Sequence, residues 1–178
     1  EYVHYPSSHA LGLIAKGDAL RCIGHHQAAL EYLDAAAEEF LRLKDEVGWA
    51  RSRIGWILSA AWLGHTEEAL QEAARAREVF LQHKEYTRAC TVDHNMAIVY
   101  TRLGRYQEAI ALYERMRVLY PTLTDQGEKF IKHAIALAEN NQSANLFWLG
   151  DFEQAYRLMQ QAQILSLIHI SEPTRQAE

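Results

Sequence analysis

Nine histidines and two cysteines are the residues of this 178-residue chain with the most reactive chemistry to offer. Cys90 and His94 are four apart, which on a helix puts thiol and imidazole on one face, as a nucleophile and its base or as half of a metal site. No third ligand or orienting group accompanies them, and Ala10, Ala50 and Ala136 stand at the places equivalent to Cys90, so a buried small residue is the expected role. His25 and His26 are adjacent, and adjacent helical side chains diverge rather than converge on one ion. They are expected to be exposed turn residues. The sequence contains no GxSxG, HExxH, P-loop or GxGxxG motif. The expectation is a chain that is not an enzyme and uses no catalytic residue, metal or cofactor.

Aromatic residues could instead form a binding site, but Trp56, Phe80, Tyr100, Tyr113 and Tyr120 fall at apolar helical spacing and are expected in the core. Trp62 and Trp148 each stand two residues before a glycine, as do Cys22 and Arg102, and partly buried packing is expected of them. Glu67 and Glu68 open a helix, where carboxylates complement the N-terminal end of the helix dipole.

These residues are placed by a repeat. Counting from Gly24, Gly64, Gly104 and Gly150, the residue five places on is Ala29, Ala69, Ala109 and Ala155. Twelve places on stand Ala36, Ala76, Met116 and Ala162; sixteen on, the first three copies carry Phe40, Phe80 and Tyr120. Such a period marks stacked supersecondary units, each too small to bury its apolar face alone. Within a unit, two helical patterns flank the glycine: "TVDHNMAIVYTRL" before Gly104, packed by Met96, Ile98, Val99 and Leu103, and "YQEAIALYERMRVLY" after it, packed by Ala109, Ile110, Tyr113 and Met116 and stopped at Pro121. No segment alternates as a strand would, so the fold class is all-α.

The order small residue, glycine, aromatic, alanine, tyrosine, proline resembles the tetratricopeptide repeat. The third copy carries it through Ala97, Tyr100, Gly104, Tyr106, Ala109, Tyr113 and Pro121, with Met116 in place of the second small residue. Gly17 and Ser143 match Ala97, whereas Ile57 departs from the pattern. The resemblance implies an α-solenoid of antiparallel helix hairpins, a tetratricopeptide-like superhelix. The copies are spaced by 40, 40 and 46 residues, against about 34 in the family, so helices or turns should be longer. Residues 1–9 read as a lead-in or the end of a preceding helix, 10–164 as four repeats (about 10–47, 48–88, 89–121 and 122–164), and 165–178 as a non-native tail. In the fourth repeat Thr124 or Asp125 is expected to cap a helix running to Leu149. "LSLIHISEPTRQAE" resembles a translated sequencing adapter, which implies that the native chain continues past about Leu165.

A composition 49% hydrophobic and 23% charged is that of a folded chain, and a net charge of -5 with no basic stripe disfavours nucleic acid. No apolar run approaches the roughly 18 residues that span a bilayer, and two cysteines are too few for a disulfide framework. A cytoplasmic protein without membrane contact is expected. The resemblance implies that the first helices line a groove for a protein or peptide, here through Arg21, Arg51, Ile54, Leu58, His94, Ile98, Thr101, Asn140 and Phe147. The family's carboxylate clamp needs Lys and Asn where this chain has Ile14/Asp18, Ile54/Leu58, His94/Ile98 and Asn140/Ala144, so that mode is not expected. The roughly 40-residue period is similar to sensor arrays of bacterial CHAT-domain proteins and signalling ATPases. An interaction scaffold within a larger regulator is thus the leading expectation, a module sensing a small molecule or signal peptide the alternative. Self-association through exposed terminal repeats is a further one.

Overall fold

The computed structural model describes residues 7–122 and 128–171. Eight α-helices follow in order: α1 Ser8–Cys22, α2 His26–Arg42, α3 Glu46–Trp62, α4 Thr66–Gln82, α5 Tyr86–Arg102, α6 Tyr106–Leu119, α7 Glu128–Trp148 and α8 Phe152–Ser171. A 3-10 turn, Tyr120–Thr122, follows α6 at the proline. Among the described residues there is no strand. The chain is all-α, and it divides into two compact units, Glu1–Val99 and Tyr100–Glu178. The expectations for the first six residues and for a cap at Thr124 or Asp125 lie outside the described residues.

Glycine closes each hairpin because the turn needs a left-handed residue: φ is 82° at Gly24, 93° at Gly64, 71° at Gly104 and 85° at Gly150. At the first, His25 N–H donates to the Leu20 carbonyl at 2.9 Å and Gly24 N–H to that of Arg21 at 3.0 Å, the paired bonds of a Schellman cap. Between hairpins the same turn is made without glycine. Lys44 and Lys84 adopt φ 56° and 59°, and Asp45 and Glu85 N–H donate to the carbonyls of Phe40 and Phe80. From Gly24 to Gly104 a left-handed residue thus recurs every twenty residues, and α2, α3, α4 and α5 are each 17 residues long. The turns being short, it is the helices that take up the excess over the family's roughly 34-residue period.

Within the first unit the second helices bury one pattern twice: Ala29, Leu30, Leu33, Ala36 and Phe40 in α2, and Ala69, Leu70, Ala73, Ala76 and Phe80 in α4. Each fully buried Leu or Phe contributes about 2 kcal/mol. The helix α3 is enclosed on more than one side and buries Gly48, Trp49, Ala50, Ser52, Arg53, Gly55, Trp56 and Ile57. An ideal Cβ on Gly48 would stand 2.1 Å from the Phe40 ring, so no larger residue fits this crossing without displacing a core aromatic. The Asp45 carboxylate caps the helix by accepting from Gly48 N–H at 2.7 Å.

The α5 expectation needs correction. Ala89, Cys90, Val92, Asp93, Asn95, Ala97 and Val99 form its buried set, while Met96 and Ile98 are half-buried. Leu103 falls in the turn after the helix ends at Arg102 and is exposed. Within the second unit, Ala109, Leu112, Tyr113 and Met116 of α6 are buried, and Leu146, Ala155 and Leu158 cluster where α7 meets α8.

Candidate functional site

Six of the nine predicted groove residues lie in the first unit: Arg21 on α1, Arg51, Ile54 and Leu58 on α3, and His94 and Ile98 on α5. All six are half-buried. The three helices run side by side here, because Asn95 Nδ2 donates to the Ile54 carbonyl at 2.8 Å and a Cβ on Gly55 would stand 2.2 Å from Asp18 Oδ1. Arg21 Nε is 3.4 Å from the same Asp18 oxygen. Arg51 has no hydrogen-bond or ion-pair partner among the described residues. Burial lowers the His94 pKa from its ordinary 6.5, so near neutral pH its imidazole is uncharged.

In the second unit Thr101 is half-buried, its hydroxyl donating to Asn145 Oδ1 at 2.9 Å, while Asn140 and Phe147 are exposed. Asn140 and Phe147 line a concave pocket of about 590 Å³ between α7 and α8, with Ala144, Trp148, Tyr156 and Met159. Phe147 meets Trp148 and Phe152 edge-on, at centroid separations of 5.7 and 5.3 Å. Tyr113 faces Asn141 and Thr101, and burial pushes its phenol well above the usual range.

Two aromatic expectations are overturned. Trp62 is 56% and Trp148 65% exposed, because the position two before the turn points away from the hairpin crossing; Cys22 and Arg102 are exposed there too. Trp62 stacks on His26, with centroids 5.4 Å apart and planes within 5°. His26 is accordingly half-buried, not the exposed turn residue expected, while His25 is exposed. Cys90 is fully buried, as the alanines at its equivalent places suggested.

Sequence reasoning missed the buried polar residues. Arg53 is enclosed, with Nη1 on Asp34 and Nη2 on the Leu33 carbonyl, both at 2.8 Å, and its guanidinium 5.1 Å from the centre of the Trp56 ring. Asp93 is buried with Arg77 Nε at 2.8 Å. An arginine or aspartate amid a helix reads as solvated unless its neighbours in space are known. The only available signal was that Arg53 is flanked by Trp49 and Trp56 at helical spacing.

These hairpins define a tetratricopeptide-like helical repeat, a fold that is typically non-catalytic and generally mediates protein–protein interaction. The family model described as tetratricopeptide repeat matches residues 94–126, which overlap most of the third copy. Among solved structures the chain is similar to BtubC (BKLC) from P. vanneervenii, with a TM-score of 0.79 at 17% identity, covering 100% of this chain and 72% of that one. No curated protein matches the sequence. No helix among the described residues is long and apolar enough to cross a membrane.

Proposed function

We propose that the chain binds a peptide or partner helix along the first-helix face of its N-terminal unit. The observation that carries this reading is Arg51: a half-buried cation with no counter-charge among the described residues, on the helix that also presents half-buried Ile54 and Leu58. A half-buried guanidinium without an ion-pair partner favours a carboxylate, and apolar side chains on the same face favour a ligand that alternates the two. His94, neutral by burial, adds no second charge to this face. The chain has no chemical step of its own in this reading; it recognises, and the output belongs to another part of a larger regulatory protein.

Selection of displayed random peptides on the full chain tests this, with enrichment of acidic residues flanked by apolar ones as the expected outcome. Arg51→Glu combined with His94→Ala should weaken capture of the selected peptides by at least about tenfold, with the helical circular dichroism retained. Undiminished capture by the double variant overturns the assignment.

A further inference from the structure

The opening that α3 leaves on the first-helix face of the N-terminal unit is one residue wide. From Gly48 to Ala61 every residue of this helix is buried except Arg51, Ile54 and Leu58. Three and four residues apart, these lie in one line along the helix axis, about 10 Å from end to end. Helices flank the line on both sides: α1 sets Asp18 against Gly55, and α5 brings Asn95 Nδ2 to the Ile54 carbonyl at 2.8 Å. Counted from the turn glycines, Ile14 of α1 occupies the place of Ile54 and Ile98 of α5 that of Leu58, and both are half-buried. The result is a shallow trough parallel to α3, apolar for most of its length, with an arginine at one end.

An extended peptide and a helix make opposite demands of such a trough. Every residue of an extended segment carries an N–H and a C=O that must find partners once water is displaced. The trough has few to offer. Asn95 is spent on the Ile54 carbonyl, the Thr91 hydroxyl donates to the Thr87 carbonyl at 3.1 Å, and the isoleucine and leucine side chains have no polar atoms. A helix satisfies its main chain internally and asks only for apolar contact and a counter-charge. The spacing fits as well, because a helix packed alongside α3 meets Leu58, Ile54 and Arg51 with residues that are themselves four and three apart. Arg51 sets the direction. It stands in the second turn of α3, which begins at Glu46, and the positive end of that helix favours the negative, C-terminal end of an antiparallel partner.

Resting on the peptide-binding reading, we infer that the occupant is a helix antiparallel to α3. In N-to-C order it presents two apolar residues four apart, to Leu58 and Ile54, and a carboxylate three residues further on, to Arg51.

The test is the spacing in peptides selected from a displayed random library on the full chain. Enriched sequences should carry apolar residues at i and i+4 and an acidic one at i+7. Synthetic copies should gain helical circular dichroism when the chain is added, and proline at i+3 should weaken capture by at least about tenfold. Arg51→Glu should move the preference at i+7 from acidic to basic residues and leave i and i+4 unchanged. Arg51→Ala, used if the glutamate variant does not fold, should erase the preference at i+7 alone. Apolar and acidic residues alternating two apart, tolerance of proline, or an acid N-terminal to the apolar pair overturns the inference while peptide capture at Arg51 stands. No enrichment, or capture undiminished by Arg51→Glu with His94→Ala, overturns that reading and this one with it.

Discussion

Leu33 and Met159 stand nine residues past their turn glycines, on hairpins built to one plan, yet one is sealed and the other is about half exposed. The residue types differ little in apolar character or length. What differs is the neighbour: α3 lies on Leu33, and no described helix lies on Met159. In a stacked repeat, then, burial belongs to the joint between units rather than to the position within one.

Truncation separates the two sites most sharply. Leu33→Ala should destabilise by about 3 kcal/mol, whereas Met159→Ala, measured by urea unfolding, should stay within about 0.5 kcal/mol. Equal losses would break the comparison. Next come two glycines of first helices. Gly48→Ala drives a methyl into the Phe40 ring and should destabilise by about 2 kcal/mol, while Gly12→Ala meets open space and should stabilise α1 by about 0.8 kcal/mol. Chemical denaturation of the two variants side by side reads both signs.

The smallest effect concerns a buried carboxylate on α7. Glu139 Oε2 has no hydrogen-bond partner among the described residues, and Arg117 Nε is 3.8 Å from the other oxygen. Burial raises the Glu139 pKa above its ordinary 4.5 and Arg117 opposes this. A raised pKa means that the folded chain holds the proton more tightly than the unfolded one does, so the ionised form penalises folding at neutral pH. That penalty fades as pH falls through the folded pKa. Glu139→Gln should therefore raise Tm by about 2 °C near neutral pH and lose that advantage in acid; a gain independent of pH would assign it to packing instead.

Much of the architecture was legible because the hairpin turns are marked by glycine and the second helices repeat one small-and-aromatic pattern, Ala29 and Phe40 recurring as Ala69 and Phe80. The first helices were harder to read. Enclosed on more than one side, they bury Arg53, Asp93 and Asn95 along with Val92 and Ile57, so apolar periodicity does not trace their faces. Leu103 and Trp62 misled for the converse reason, being apolar residues at helix ends that point past the crossing. Of the groove set, the placement on first helices was legible, but the openness of Asn140 and Phe147 was not, since it depends on what lies over them. The alternate turns escaped notice because lysine carries no signal for a left-handed backbone, so the sequence displays every second turn.

Those two lysines have a consequence of their own. At φ 56° and 59° Lys44 and Lys84 bear torsional strain of about 1 kcal/mol that glycine would not. In return each places a cation just beyond the carbonyl end of a helix, where the dipole favours positive charge. Salt screens the second effect and leaves the first untouched. Ionic strength therefore weakens what the lysines contribute at the turns between hairpins and leaves their backbone strain in place, whereas the left-handed backbone of the glycine turns carries neither.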